Sequence, residues 1–86
     1  MYSIEFSQPA GKFLEKLNHS QKHIASRLVA AIDELRTSPY LGKKLTGKLQ
    51  DRRSLRVGDY RIIYAIIEHR ILIQIVNIGH RREIYR

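Results

Sequence analysis

A chain of 86 residues has room for one hydrophobic core, so residues 1–86 are expected to form one domain. The absence of cysteine excludes disulfides and a Cys-based zinc site, and the longest apolar run is too short to span a bilayer. The net charge of +8 favours a polyanionic partner, nucleic acid before an acidic protein and a membrane surface last. With no cationic leader ahead of a hydrophobic stretch, a soluble cytoplasmic protein is expected.

In chain order, Tyr2, Ile4 and Phe6 alternate with polar residues and predict a short strand. Ser7 can then cap a helix with Pro9 in its first turn, and Ala10, Phe13, Leu14 and Leu17 give it one apolar stripe. Asn18 with Gln21 three residues later resembles a capping box and predicts the start of a second helix. Ile24, Leu28, Ala31, Ile32 and Leu35 line its core face, and Ser38-Pro39 stops it. So short a break predicts an antiparallel helical hairpin. Residues 40–51 show neither helical nor strand period and read as a basic loop. Arg53, Leu55 and Val57 alternate with Arg52, Ser54 and Arg56, so one face of the next strand is largely cationic. Gly58-Asp59 makes a tight turn. Tyr60 to Ile67 and Ile71 to Ile78, joined by Glu68-His69-Arg70, are apolar on both faces and belong in the middle of a sheet. The class expected is α+β, in the order β-α-α-β-β-β, with the hairpin on one face of a small antiparallel sheet.

Charge is concentrated in the second half: residues 43–86 hold eleven Lys/Arg against four Asp/Glu, and residues 1–42 hold five against four. These cations sit within strands and not in a tail, which points to a shaped phosphate site. By parity Arg52, Ser54 and Arg56 share a face, Arg61 shares one with Ile63, Ala65 and Ile67, and Arg81 arrives at the same end of the sheet. Guanidinium groups stay charged and grip phosphate oxygens through paired donors, so they stabilise the charge that builds up when a 2′-OH attacks a phosphodiester. Tyr85 can stack on a base or supply a hydroxyl. No carboxylate cluster for Mg²⁺ and no His-x-x-x-His pair on a helix is present, so no metal or other cofactor is expected. Tyr60 and Tyr64 read as core or rim aromatics, and His19, His23 and His69 as surface. His80 can serve as acid or base or sit at a rim, and Glu83 can pair with a neighbouring Arg. The residues alone carry the reading as far as an anion-binding α+β domain that meets RNA.

The segments Leu55-Arg56-Val57-Gly58-Asp59-Tyr60-Arg61-Ile62-Ile63-Tyr64 and Gly79-His80-Arg81-Arg82-Glu83-Ile84-Tyr85-Arg86, at this spacing, resemble the RelE/ParE superfamily of toxin–antitoxin toxins, and its RelE-like branch in particular. The resemblance covers almost the whole chain. It implies a ribosome-dependent mRNA endonuclease that cuts A-site codons by metal-independent 2′-OH attack and so inhibits translation. Arg61 and Arg81 match arginines that hold the scissile phosphate, and Tyr85 matches a tyrosine that stacks on or activates the substrate nucleotide. Lys43, Lys44, Lys48, Arg52, Arg53, Ser54, Arg56, Arg82 and Arg86 are the expected contacts to RNA and ribosome. Family lysines stand where this chain has Arg52 and Ser54, which leaves the general base open: His80, Glu83 or a lysine of the 43–48 loop substitutes, or activity is low. The implied partners are mRNA, the ribosome and a RelB-like antitoxin with an acidic segment. A C-terminal helix that moves on antitoxin binding in some relatives is expected to be absent. Two other readings stay open: a ParE-type inhibitor of DNA gyrase, and a catalytically weak toxin that acts with its antitoxin as co-repressor.

Overall fold

The computed structural model describes residues 1–49 and 51–84. Strand β1 (Ser3–Phe6) leads into helices α1 (Gln8–Ser20) and α2 (Lys22–Leu35), followed by β2 (Lys43–Lys44), β3 (Arg53–Val57), β4 (Tyr60–Ile67) and β5 (Leu72–His80). The Ser7 hydroxyl accepts from the Ala10 N–H at 3.2 Å and donates to the Val76 carbonyl at 2.6 Å, so one side chain caps α1 and ties it to β5. The predicted capping box at Asn18 and Gln21 is not formed. No Gly or Pro stops α1 at Asn18, and it runs on to Ser20. The chain then bends at Gln21, which offers α2 no side-chain cap.

The strands form one sheet in the order β1-β5-β4-β3-β2. The expected α+β class and helical hairpin are present, but the all-antiparallel sheet needs correction. β1 runs parallel to β5, with Ile4 opposite Ile73, while the other pairs are antiparallel. Alternation marks a strand without naming its neighbour, and β4 already has β3 on its other side. The loop at 40–51 also needs correction: Lys43 and Lys44 pair with Ser54 and Arg53 as a two-residue edge strand, too short to show a period.

The helices cover one face of the sheet. Leu17, Ala25, Leu28, Ile32 and Leu35 meet Ile62, Tyr64, Ile73, Ile75 and Ile78 there. Ile63 and Leu72 are buried but lie outside that cluster, on the opposite, open face. A register shift between Ile63 and Tyr64, facing Asn77 and Ile75, keeps Ile78 and Ile75 both on the helix side.

Tyr64 is fully buried and organises the loop that follows α2. Its hydroxyl donates to the Pro39 carbonyl at 2.7 Å and accepts from the Gly42 N–H at 2.8 Å. A Cβ on Gly42 would lie 2.6 Å from the Tyr64 hydroxyl oxygen, so only glycine fits beside the ring. Burial pushes the Tyr64 hydroxyl above its ordinary value near 10, against the opposing pull of the Gly42 N–H and the nearby Arg53 charge. Folding therefore favours the neutral phenol. Its contribution is complete below about pH 10, where the unfolded phenol begins to ionise, and is lost as pH rises through the higher folded value. The expected result is a steeper alkaline fall in urea midpoint for the wild-type chain than for Tyr64→Phe. Parallel curves above pH 10 would contradict it.

Candidate phosphate-binding face

The open face is built from two neighbouring cross-strand rows. In the first, Lys43 on β2 stands opposite Ser54 on β3, which faces Ile63 on β4 and then Asn77 on β5. In the second, Arg56 stands directly opposite Arg61, which faces Gly79. Antiparallel partners project to the same side, so Arg56, Arg61, Ser54 and Lys43 share the face that the helices leave uncovered. Gly79 places no side chain beside Arg61, and the Ile84 side chain passes 3.6–3.8 Å from where a Cβ would stand.

The turn at Gly58-Asp59 brings Arg81 beside Arg56 and Arg61. Gly58 has φ +60°, a left-handed conformation suited to glycine. Its carbonyl accepts from Arg56 Nε at 3.1 Å. The Asp59 carbonyl accepts from the Arg81 N–H at 2.8 Å, which holds Arg81 at the same end of the sheet as Arg61. Two arginines directly opposed across a strand pair repel each other. Among the described residues the ion pairs are Arg36 with Asp33 and Arg52 with Asp51, so Arg56, Arg61 and Arg81 have no carboxylate partner there. Unpaired cations held by backbone geometry on one face are an anion-binding arrangement.

Not every expected site residue lies there. His80 is paired with Tyr60, and its ring packs edge-on against the Tyr60 ring at 5.6 Å. Tyr60 in turn packs on Phe13, so His80 faces the helix side and not Arg61. Glu83 is exposed in the turn after β5, where its N–H donates to the His80 carbonyl. Arg53 is turned to the helix side. It donates to the Gly42 carbonyl at 2.7 Å and lies 4.9 Å from the Tyr40 ring centre, and the Tyr40 hydroxyl donates to Glu68. Lys44 pairs with Arg53 and shares that side; Lys48 is exposed in the 3-10 turn Gly47–Leu49, and Arg82 is exposed beyond β5. Arg52 lies just before β3, 4.0 Å from Asp51. Tyr85 and Arg86 lie outside the described residues. The Tyr40–Arg53–Gly42–Tyr64 cluster had no signal in the sequence, because its members touch only through the tertiary fold. No group of three or more His, Asp or Glu among the described residues could hold a metal ion, and no described helix is long and apolar enough to cross a membrane.

Comparison with known proteins gives this geometry a family. Residues 4–85 match the family described as the ParE toxin of type II toxin–antitoxin systems, parDE. The chain is 31% identical over 86 residues to Toxin RelE of Mycobacterium tuberculosis, covering 99% of this chain and 87% of the relative. It is also 31% identical to Toxin RelG of the same organism, covering 99% and 97%. In structure it is similar to the toxin–antitoxin complex RelBE2 from M. tuberculosis, with TM-score 0.81, 30% identity, and 93% and 98% of the two chains covered. The isolated E. coli RelE toxin shares the fold at TM-score 0.79 and 24% identity, over 99% and 92%. With a family match over nearly its whole length, two toxin relatives and a RelE-type fold, this chain belongs to the RelE/ParE superfamily of type II toxins.

Proposed function

We propose that this toxin is an RNA endonuclease that cuts mRNA codons in the ribosomal A site. The observation that carries the reading is the open face itself, where Arg56 and Arg61 are directly opposed, Arg81 is held at the adjoining turn and none has a carboxylate partner among the described residues. In the reaction the 2′-oxygen attacks the neighbouring phosphorus, the bond to the 5′-oxygen breaks, and a 2′,3′-cyclic phosphate and a free 5′-hydroxyl result. Arg61 and Arg81 stabilise the extra charge on the phosphoryl oxygens. Tyr85 stacks on the substrate nucleotide, as the family resemblance implies. The partners are mRNA on the ribosome and an antitoxin whose acidic segment meets the +8 surface, in keeping with the complex in which the M. tuberculosis relative is seen.

The proton acceptor in this reading is Lys43. It faces the same side as Arg61, across β3 from Ser54, whereas His80 packs against Tyr60. Removing a general base costs about 10²–10⁴ in rate. Lys43→Ala is expected to lose at least about 100-fold in single-turnover cleavage, and Lys43→Arg to keep binding without restoring the rate. Full activity of Lys43→Arg would assign the proton to another group.

The deciding experiment is primer extension on programmed ribosomes, with an Arg81→Ala control. Cuts confined to the A-site codon and lost in the control support the reading, and a folded, intact protein that makes no cuts overturns it. The ParE description of the matched family favours one second reading, inhibition of DNA gyrase by binding. A supercoiling assay on the same preparation separates the two.

A further inference from the structure

One arginine outside the sheet reaches the same turn. Beside Gly58 the guanidinium of Arg27 on α2 comes within van der Waals reach of where a side chain would begin. Its Nη1, Nη2 and Cζ atoms lie 3.4, 3.6 and 3.8 Å from where a Cβ would stand. The Arg27 guanidinium makes no ion pair and no side-chain hydrogen bond with the described residues, and the residue is exposed. The neighbours of this turn are cations as well: Arg56 donates to the Gly58 carbonyl, Arg61 stands opposite Arg56, and the Arg81 N–H donates to the Asp59 carbonyl. Asp59 is the one carboxylate in the turn, and it pairs with none of them. Arg27 thus approaches from α2 the same turn that Arg56, Arg61 and Arg81 adjoin in the sheet, and cations gathered round one turn favour an anion there.

We propose that Arg27 binds a phosphodiester flanking the one that is cut, carrying the anion path from the open sheet face over the Gly58 turn onto α2. The ligand class is the backbone of single-stranded RNA, bound without regard to base. The inference rests on the RNA-cutting reading and names a binding residue outside the reacting centre.

The test compares Arg27→Ala, Arg27→Lys and Arg27→Glu in two assays. The first measures kcat and KM on programmed ribosomes. The second measures affinity for a short RNA made uncleavable by a 2′-deoxy sugar, across a salt series. For Arg27→Ala the loss is expected in KM and in affinity, about 3- to 10-fold at 0.1 M salt, with the salt slope shallower by about 0.7 for one lost contact to a single strand. Arg27→Lys should restore the slope, and Arg27→Glu should bind more weakly than Arg27→Ala. An unchanged slope in Arg27→Ala overturns the proposal. So does a drop confined to kcat and melting temperature that Arg27→Lys fails to rescue, which marks Arg27 as a prop for the turn. Weakened antitoxin binding with RNA affinity intact also overturns it and moves Arg27 to a protein interface. Failure of the RNA-cutting reading registers separately, as undiminished toxicity of Arg61→Ala, while the affinity assay still reports on Arg27.

Discussion

Arg61→Ala should lose at least about 10²–10³-fold in single-turnover mRNA cleavage, the size expected when a fixed group that stabilises transition-state charge is removed. The same substitution should leave the fold intact and make it slightly more stable. Arg61 contributes to the sheet through its backbone, paired with Arg56 on one side and Gly79 on the other, and alanine keeps those bonds. What it removes is a guanidinium directly opposite another guanidinium, with no carboxylate to compensate either among the described residues. Like charges placed so oppose folding by about 0.2–1 kcal/mol. The measurement is paired: cleavage on programmed ribosomes, and a urea midpoint on the same preparation. A variant that is less stable and less active in proportion would mean that Arg61 is structural. One that cuts at the wild-type rate would end the assignment of Arg61 to the reacting phosphate.

Tyr64→Ala is expected to cost about 3–5 kcal/mol, the range for removing a large aromatic from a packed core. The side chain is fully buried at the centre of β4, against the residues that α1 and α2 contribute. Its loss also leaves the Pro39 carbonyl and the Gly42 N–H without their partner. A domain of this length has about 4–13 kcal/mol to lose, so a large share of its stability goes with this one ring. Function should suffer beyond the change in folded fraction. The Gly42 N–H bond holds the loop that leads directly into Lys43 and Lys44, and Arg53 donates to the Gly42 carbonyl from the strand beside it. The check is a urea titration followed by circular dichroism, with cleavage measured well below the unfolding transition. A loss under about 1 kcal/mol would show that the loop and core reorganise around the gap.

Much of this was legible before any coordinates. The apolar stripes of α1 and α2, the Ser7 cap, the Pro39 stop and the two Ile-rich strands are local patterns, and short-range physics writes them into neighbouring residues. So is the parity that places Arg56 and Arg61 on one face. Once Gly58-Asp59 is a tight turn, the pairing of these two arginines follows from alternation alone. The sequence could not separate His80 from Arg61, because the side on which a strand's last residue lands depends on the register shift at Ile63/Tyr64. Nor could it say that β1 joins β5 in parallel, or that Lys43 returns to stand across from Ser54. By itself, then, the sequence determined the element order, the cationic strand face and the superfamily resemblance. The tertiary structure alone decided which cations share the open face, which residues pack behind it, and that Arg27 comes to the same turn. Strand order, register and loop contact are non-local, and their free energy comes from burying surface between segments far apart in the chain, which no window of neighbouring residues contains.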